Sequence, residues 1–210
     1  MEYNIEQQLR GTRILFAEEA KERRKLLNKM IEIVEAKGFD EIILPSLEKS
    51  EIYVDKAGPE ILNQMYTFTD KGERELCLRP EGTATVQLLA DKYWKTQKNV
   101  KMWYFERCWR YERPQAGRYR EFFQFGIEWI NPKNPEEARL ELIELAKELV
   151  SLKTTDFIVN DSAKRGLSYY TGAGFEIAVD SLGAQKQVVG GGTYKQGIGF
   201  AIGFDRLMLT

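Results

Sequence analysis

Residues Lys101 to Glu112 and Glu121 to Ile130 alternate apolar with polar side chains, and a basic loop carrying Pro114 and Gly117 joins them. Alternation is the period of a strand, and turn-forming residues between two such runs make a long hairpin. No other feature constrains the fold as much, because a hairpin needs neighbouring strands and a cover for its apolar face. On the second strand Phe123, Phe125, Ile127 and Trp129 share one face, which must be buried. Phe122, Gln124, Gly126 and Glu128 share the other, and on the first strand Glu106, Cys108, Arg110 and Glu112 fall together.

The flanking sequence supplies the cover. Leu27, Met30, Ile31 and Val34 are spaced for one helical face within residues 18–37, and Gly38 stops that helix. Ile42 to Leu44 is a short apolar strand that ends in Pro45, which suits an edge or an interface. Residues 83–95 read as a helix. A further helix over 136–152 has Asn134 as N-cap, Pro135 in its first turn, and Glu136 and Glu137 facing its positive end. Its Leu142, Leu145 and Leu149 lie on one side. Strand patterns recur at 175–179, 187–189 and 200–202. Helices set between runs of antiparallel strands define an α+β domain, with a mixed, mainly antiparallel sheet flanked by helices. Residues 1–210 show no linker, internal repeat or low-complexity tract, which suits one domain.

Composition narrows the chemistry. Lys and Arg number 31 against 32 Asp and Glu, a balance that excludes indiscriminate binding to nucleic acid and leaves only a local basic site. Histidine is absent, which removes Ser-His-Asp triads, imidazole proton shuttles and nearly all catalytic zinc sites. Cys77 and Cys108 have no CxxC spacing and are expected as buried free thiols in a reducing compartment. Met1 to Arg10 contain no apolar signal core, and no apolar run reaches the roughly 20 residues of a bilayer span, so the expected location is cytoplasmic. Catalysis must rest on carboxylates, arginines, lysines, tyrosines and a bound metal.

The polar face of the hairpin admits two explanations. One is a solvated surface of ion pairs. The other is a binding site, because a solvated face seldom sets Gly126 and Phe122 among charged groups, and a ligand approaching the backbone at Gly126 would account for both. Gly190 to Gly192 is open in the same way, to a turn or to close approach by a substrate. It is not a dinucleotide fingerprint, since no GxGxxG opens a helix.

The run from Trp109 to Glu128, WRYERPQAGRYREFFQFGIE, resembles motif 2 of histidyl-tRNA synthetases. The helix ending near Gly38 and the strand reaching Pro45 resemble motif 1, the class II dimer element. Leu78 to Thr83, LRPEGT, is similar to the family's amino-acid-binding segment, and Arg165 to Tyr170, RGLSYY, to its histidine signature. Gly199 to Leu207, GFAIGFDRL, resembles motif 3. Five motifs in family order cover nearly the whole chain.

The resemblance implies a class II synthetase fold, ATP and Mg²⁺ as cofactors, with the metal ligands unspecified, histidine and the tRNA acceptor stem as partners, and a homodimer. It implies that Arg110 and Arg165 hold the α-phosphate from opposite sides as the catalytic pair. Glu112 would face the adenine amino group, Phe122 and Arg206 would sandwich the ring, and Arg118 would reach the terminal phosphates. Glu81, Thr83 and Gln124 would take the substrate ammonium, while Glu128 and Tyr170 would address the imidazole and Arg165 would border the amino acid. Arg113 and Gln115 would meet the tRNA acceptor end.

The chain departs from the family where Ser168 stands for Asp, Thr193 for Arg and Lys195 for Asp. The family's insertion and anticodon-binding domains have no counterpart in these residues, so the expectation is a catalytic core alone. Two other readings share the fold: an amino-acid ligase with an acceptor other than tRNA, and a histidine-sensing regulatory paralogue of ATP phosphoribosyltransferase.

Overall fold

The computed structural model describes residues 8–57, 59–163 and 167–210. Helix α1 (Ala17–Ala36) buries Leu26, Met30 and Val34, the four-residue spacing of one helical stripe. Gly38 ends it at φ +77°, and the Phe39 amide donates back to the Val34 carbonyl at 3.1 Å, closing the left-handed cap that glycine favours. Strand β1 (Asp40–Glu41) follows, then β2 (Leu47–Lys49), α2 (Glu51–Ala57), α3 (Pro59–Leu62), β3 (Thr67–Thr69), β4 (Glu75–Leu78) and α4 (Thr83–Tyr93). The hairpin strands are β5 (Val100–Trp109) and β6 (Glu121–Ile130), and α5 (Pro135–Ser151) comes next. The chain continues through β7 (Ile158–Ala163), β8 (Tyr170–Ala178), β9 (Gln187–Tyr194), β10 (Gly197–Gly203) and α6 (Phe204–Leu207).

Seven strands form the main sheet in the order β1-β5-β6-β10-β9-β8-β7, and only the β1–β5 pair is parallel. A smaller sheet, β2-β4-β3, lies beside it. The expected α+β class and mainly antiparallel sheet are therefore present. Phe125, Ile127, Trp129, Phe175 and Ile177 pack in one core with Leu26, Met30 and Val34 of α1 and Leu142, Leu145 and Leu149 of α5. A second core joins Tyr53, Cys77, Ala84, Val86 and Ala90 to Tyr104, Tyr169 and Tyr194. One sheet face is thus covered by α1 and α5. The other is covered only in part, and the remainder opens into a cleft.

The α5 start is as its sequence dictates: Asn134 Oδ1 accepts the Glu137 amide and Pro135 stands in the first turn. Three expectations shift. The edge strand pairs at Asp40–Glu41 rather than at residues 42–44, because the Leu44 amide donates to the Glu106 carboxylate at 2.6 Å instead of to a strand. The first hairpin strand ends at Trp109, since the Tyr111 amide turns away to the Gln64 carbonyl at 2.6 Å and carries Glu112 off the sheet. The helix expected over 83–95 stops at Tyr93. The three-stranded sheet, α2, α3 and β7 had no expectation. Strand β7 forms an edge, and its pairing with β8 is broken by an irregularity between Asn160 and Ala163. Both cysteines are free and buried.

Candidate active site

Antiparallel register sets residues of five strands in rows across the open face. One row runs Tyr104, Gly126, Ala201, Gly190, Glu176. A second runs Met102, Glu128, Gly199, Gly192, Gly174. The small residues in these rows leave room for large neighbours to lie on the sheet. A Cβ at Gly126 would fall 1.9 Å from Tyr104 Cζ, one at Gly199 1.9 Å from Glu128 Oε2, and one at Gly192 2.8 Å from Tyr170 Cδ1. The close approach expected at Gly126 is therefore made by the protein's own Tyr104, not by a ligand. In the triple glycine the same holds for Gly191, which faces Phe200 and Phe175, and for Gly192, whereas Gly190 lines the cleft.

The cleft, of about 350 Å³, brings together most residues singled out in the sequence. Arg110, Glu112 and Arg118 enter from the hairpin loop, Phe122 and Gln124 from β6, and Arg206 from α6. Glu81 and Thr83 at the head of α4 and Tyr170 on β8 complete it. The Arg110 guanidinium lies over the Phe122 ring, 5.2 Å from its centroid, and its Nε donates to the Pro80 carbonyl at 2.9 Å. Arg118 pairs with Glu112. Arg206 donates to the carbonyls of Gly117, at 2.9 Å, and Gln187. Burial lowers the Arg206 pKa, and repulsion from Arg110 and Arg118 lowers it further. Three guanidiniums close enough to feel one another form a concentrated positive field.

The carboxylates sit opposite. Glu81 is 3% exposed and accepts the amides of Thr83 at 2.7 Å and Ala84 at 2.9 Å, so it caps α4, and Tyr169 donates to it at 3.3 Å. Burial raises its pKa against the opposing pull of the Ala84 amide and Arg110. Glu128 is wholly buried beneath the cleft rather than on its wall. Thr83 Oγ1 and Tyr194 Oη each reach one of its oxygens at 2.6 Å. Burial outweighs those two donors and pushes its pKa up to about 8.

Arg113 and Gln115 stand exposed on the hairpin loop outside the cleft, and Gln115 and Arg118 exchange backbone hydrogen bonds at 3.0 and 2.9 Å. Arg165 lies outside the described residues. Of the departures in the signature region, Ser168 donates to the Lys56 carbonyl at 3.1 Å, away from the cleft, and Lys195 stands in the tight turn between β9 and β10. Glu176, Gln187, Gln64 and Asp205 also line the cleft and were not singled out in the sequence. Glu176 could have been, since it alternates with Phe175 and Ile177, which must be buried. Among the described residues no hydrogen bond or ion pair engages its carboxylate, and no cluster of three potential metal ligands exists.

A family model described as histidyl-tRNA synthetase matches residues 11–160. The chain belongs to the histidyl-tRNA synthetase family. A histidine–tRNA ligase of Archaeoglobus fulgidus is 32% identical to it, over 94% of this chain and 74% of that protein. That alignment runs over 303 positions against 210 residues here, so the relative carries a long internal stretch with no counterpart. Among solved structures, the apo histidyl-tRNA synthetase of S. aureus superposes with a TM-score of 0.80 at 26% identity, covering 97% of this chain and 69% of that one. A Bacillus halodurans protein titled an ATP phosphoribosyltransferase regulatory subunit/histidyl-tRNA synthetase has a TM-score of 0.81 at 17% identity, covering 100% and 84%. At that identity the likeness speaks for the fold. The fold is that of the class II synthetases and the chain is a ligase of that family, so ATP use follows from membership.

Proposed function

We propose that this chain activates histidine with ATP to give histidyl-adenylate, and passes the histidyl group to tRNA(His) as a minimal catalytic core. The carrying observation is the convergence of Arg110, Arg118 and Arg206 with Phe122 on one cleft, where Arg206 is buried against the repulsion of the other two. Arg118 is paired with Glu112, but among the described residues no ion pair engages Arg110 or Arg206, so an anion in the cleft would relieve their repulsion, and guanidinium forks match phosphate oxygens. A ligand with an aromatic base and several phosphates suits the ring and the charges together.

The chemistry needs no general base. The substrate carboxylate is already a nucleophile: its oxygen bonds to the α-phosphorus, the bond to the bridging oxygen breaks, and pyrophosphate leaves with the electron pair. The protein has to align the reactants and hold the charge that develops. Arg110 and Arg165 take the α-phosphate, Arg118 the terminal phosphates, and Phe122 and Arg206 the adenine, whose amino group meets Glu112. Glu81, Thr83 and Gln124 receive the ammonium, and Tyr170 with Glu128 beneath it recognises the imidazole. A buried polar pocket of this kind rejects apolar analogues, because its groups would be left unpaired. Glu176, whose carboxylate lines the cleft, would be the residue to hold Mg²⁺, which would neutralise phosphate charge there. Arg113 and Gln115, exposed on the loop, are available to the acceptor stem. The enzyme would work in the cytoplasm as a homodimer. No helix among the described residues is long and apolar enough to cross a membrane.

The test is amino-acid-dependent exchange between ATP and pyrophosphate, run over all twenty amino acids. Histidine alone should support it, and Arg165→Ala should slow it by about 10²–10³, the usual cost of losing a transition-state charge stabiliser. Exchange with another amino acid would change the substrate. No exchange with any would favour a regulatory protein that binds histidine without activating it.

A further inference from the structure

The segment that precedes α1 is tied to the hairpin loop from outside the cleft. The Gly11 carbonyl accepts the Arg120 amide at 2.8 Å and the Glu121 amide at 3.3 Å. Gly11 itself has φ +92°, and a Cβ there would fall 2.8 Å from Arg120 Cγ and 2.9 Å from Pro114 Cγ. Only glycine lets the backbone lie so close in that conformation. Two residues on, the Arg13 guanidinium stacks over the Tyr119 ring, 3.9 Å from its centroid, and forms an ion pair with Asp205.

Asp205 is 4% exposed, and three elements besides its own meet at its carboxylate. Arg13 reaches it from the leading segment, Arg23 from α1 at 2.9 Å, and the Phe123 amide from β6. Asp205 immediately precedes Arg206, and Phe123 immediately follows Phe122. One buried carboxylate therefore fixes the spacing between the two side chains that would enclose the adenine. Arg206 then grips the loop from the inside through the Gly117 carbonyl. The loop is held on both sides, by Gly11 and Arg13 without and by Arg206 within.

We propose that Arg13 and Asp205 are positioning residues of the nucleotide site, and that Gly11 to Arg13 form a strap that clamps the hairpin loop against α6. Neither residue needs to touch the nucleotide. The strap sets the separation of Phe122 and Arg206, so its loss should weaken ATP and leave the amino-acid side of the cleft alone. This inference rests on reading the cleft as an ATP site.

Arg13 is the variant to use, because its side chain is 23% exposed and Asp205 keeps Arg23 and the Phe123 amide when it is removed. Calorimetric titration of the full chain with ATP should show roughly five- to tenfold weaker binding for Arg13→Ala, the scale of one charge-assisted contact. In pyrophosphate exchange the KM for ATP should rise by the same factor, with kcat and the KM for histidine within about twofold. Arg13→Lys should recover part of the loss, since it restores the charge opposite Asp205 but not the planar stack on Tyr119. The melting temperature reads the alternative: a merely structural strap would lower it and shift both KM values together, or neither. Unchanged ATP affinity in Arg13→Ala overturns the proposal. A parent that binds ATP but exchanges no pyrophosphate overturns the adenylation reading and leaves this comparison intact, whereas a parent that binds no ATP overturns both.

Discussion

The ring of Tyr104 fills the space above Gly126, its partner across the β5–β6 pair, so closely that a Cβ at residue 126 would sit 1.9 Å from Cζ. The same ring leaves Gly82 no room for a side chain, with a Cβ there 2.5 Å from Cζ. Gly126→Ala should therefore destabilise the fold through overpacking, by about 1–3 kcal/mol in urea unfolding. Tyr104→Ala is itself destabilising because the ring is buried, but in that background Gly126→Ala should cost less than in the parent, a coupling that a defect in backbone conformation alone would not give. Equal stability of Gly126→Ala and the parent would refute this account of the glycine.

Glu128 carries the pH dependence. Burial raises its pKa from the ordinary carboxylate range to about 8, so the folded chain holds a proton there that the unfolded chain releases near 4.5. For a raised pKa the stabilising contribution is complete below the unfolded value and is lost as pH rises through the folded one. Stability should fall between about pH 4.5 and 8, by on the order of 5 kcal/mol if Glu128 acted alone. Glu81, shifted in the same direction, adds to this slope. Glu128→Gln should flatten the profile of melting temperature against pH, and an unchanged slope would show that Glu128 is ionised in the fold.

Phe122 offers its ring to the cleft and Arg110 lies across it. Phe122→Ala should weaken ATP roughly tenfold, as expected when a stacking surface is lost, with little change in melting temperature because the ring lies outside the apolar cores. Phe122→Tyr should bind as the parent does. Calorimetry decides, and full affinity in Phe122→Ala would place the base elsewhere in the cleft.

Assembly is testable on the leading edge of the domain. Ile43 and Leu47 are 80% and 55% exposed, large apolar side chains in the segment that leads from β1 into β2. Light scattering at micromolar concentration should give twice the 24.4 kDa of one chain, and Ile43→Asp should halve it. A parent that scatters as a single chain would refute the dimer.

The sequence carried the main architecture because its signals were periodic. Alternation from Lys101 onward and the apolar stripe of α5 mark a two-sided strand pair and a one-sided helix, and both formed at close to the expected limits. What it could not carry were choices made by single hydrogen bonds between distant residues. The Tyr111 amide bonds to Gln64 and the Leu44 amide to Glu106, and each ended a strand early. Short elements such as β2 and β3 hold too few residues to show a period. In the cleft, Arg110, Arg118, Arg206 and Phe122 were singled out through their motifs, while Arg165 lies outside the described residues and Arg113 stands outside the cleft. Asp205 was not, because its value lies in three donors that come from other parts of the chain.

The irregular pairing at the end of β7 has a consequence for solubility. A flat outer strand offers a row of open amides and carbonyls on which a second copy can template its own strand. Here Asn160 Oδ1 takes the Ser162 amide at 3.2 Å, and the Arg139 guanidinium takes the Asp161 carbonyl. The row is interrupted within that stretch, even though Ile158 at its start is 58% exposed. Strand-by-strand polymerisation therefore meets a broken template on this side, and the sheet stops growing at its seventh strand.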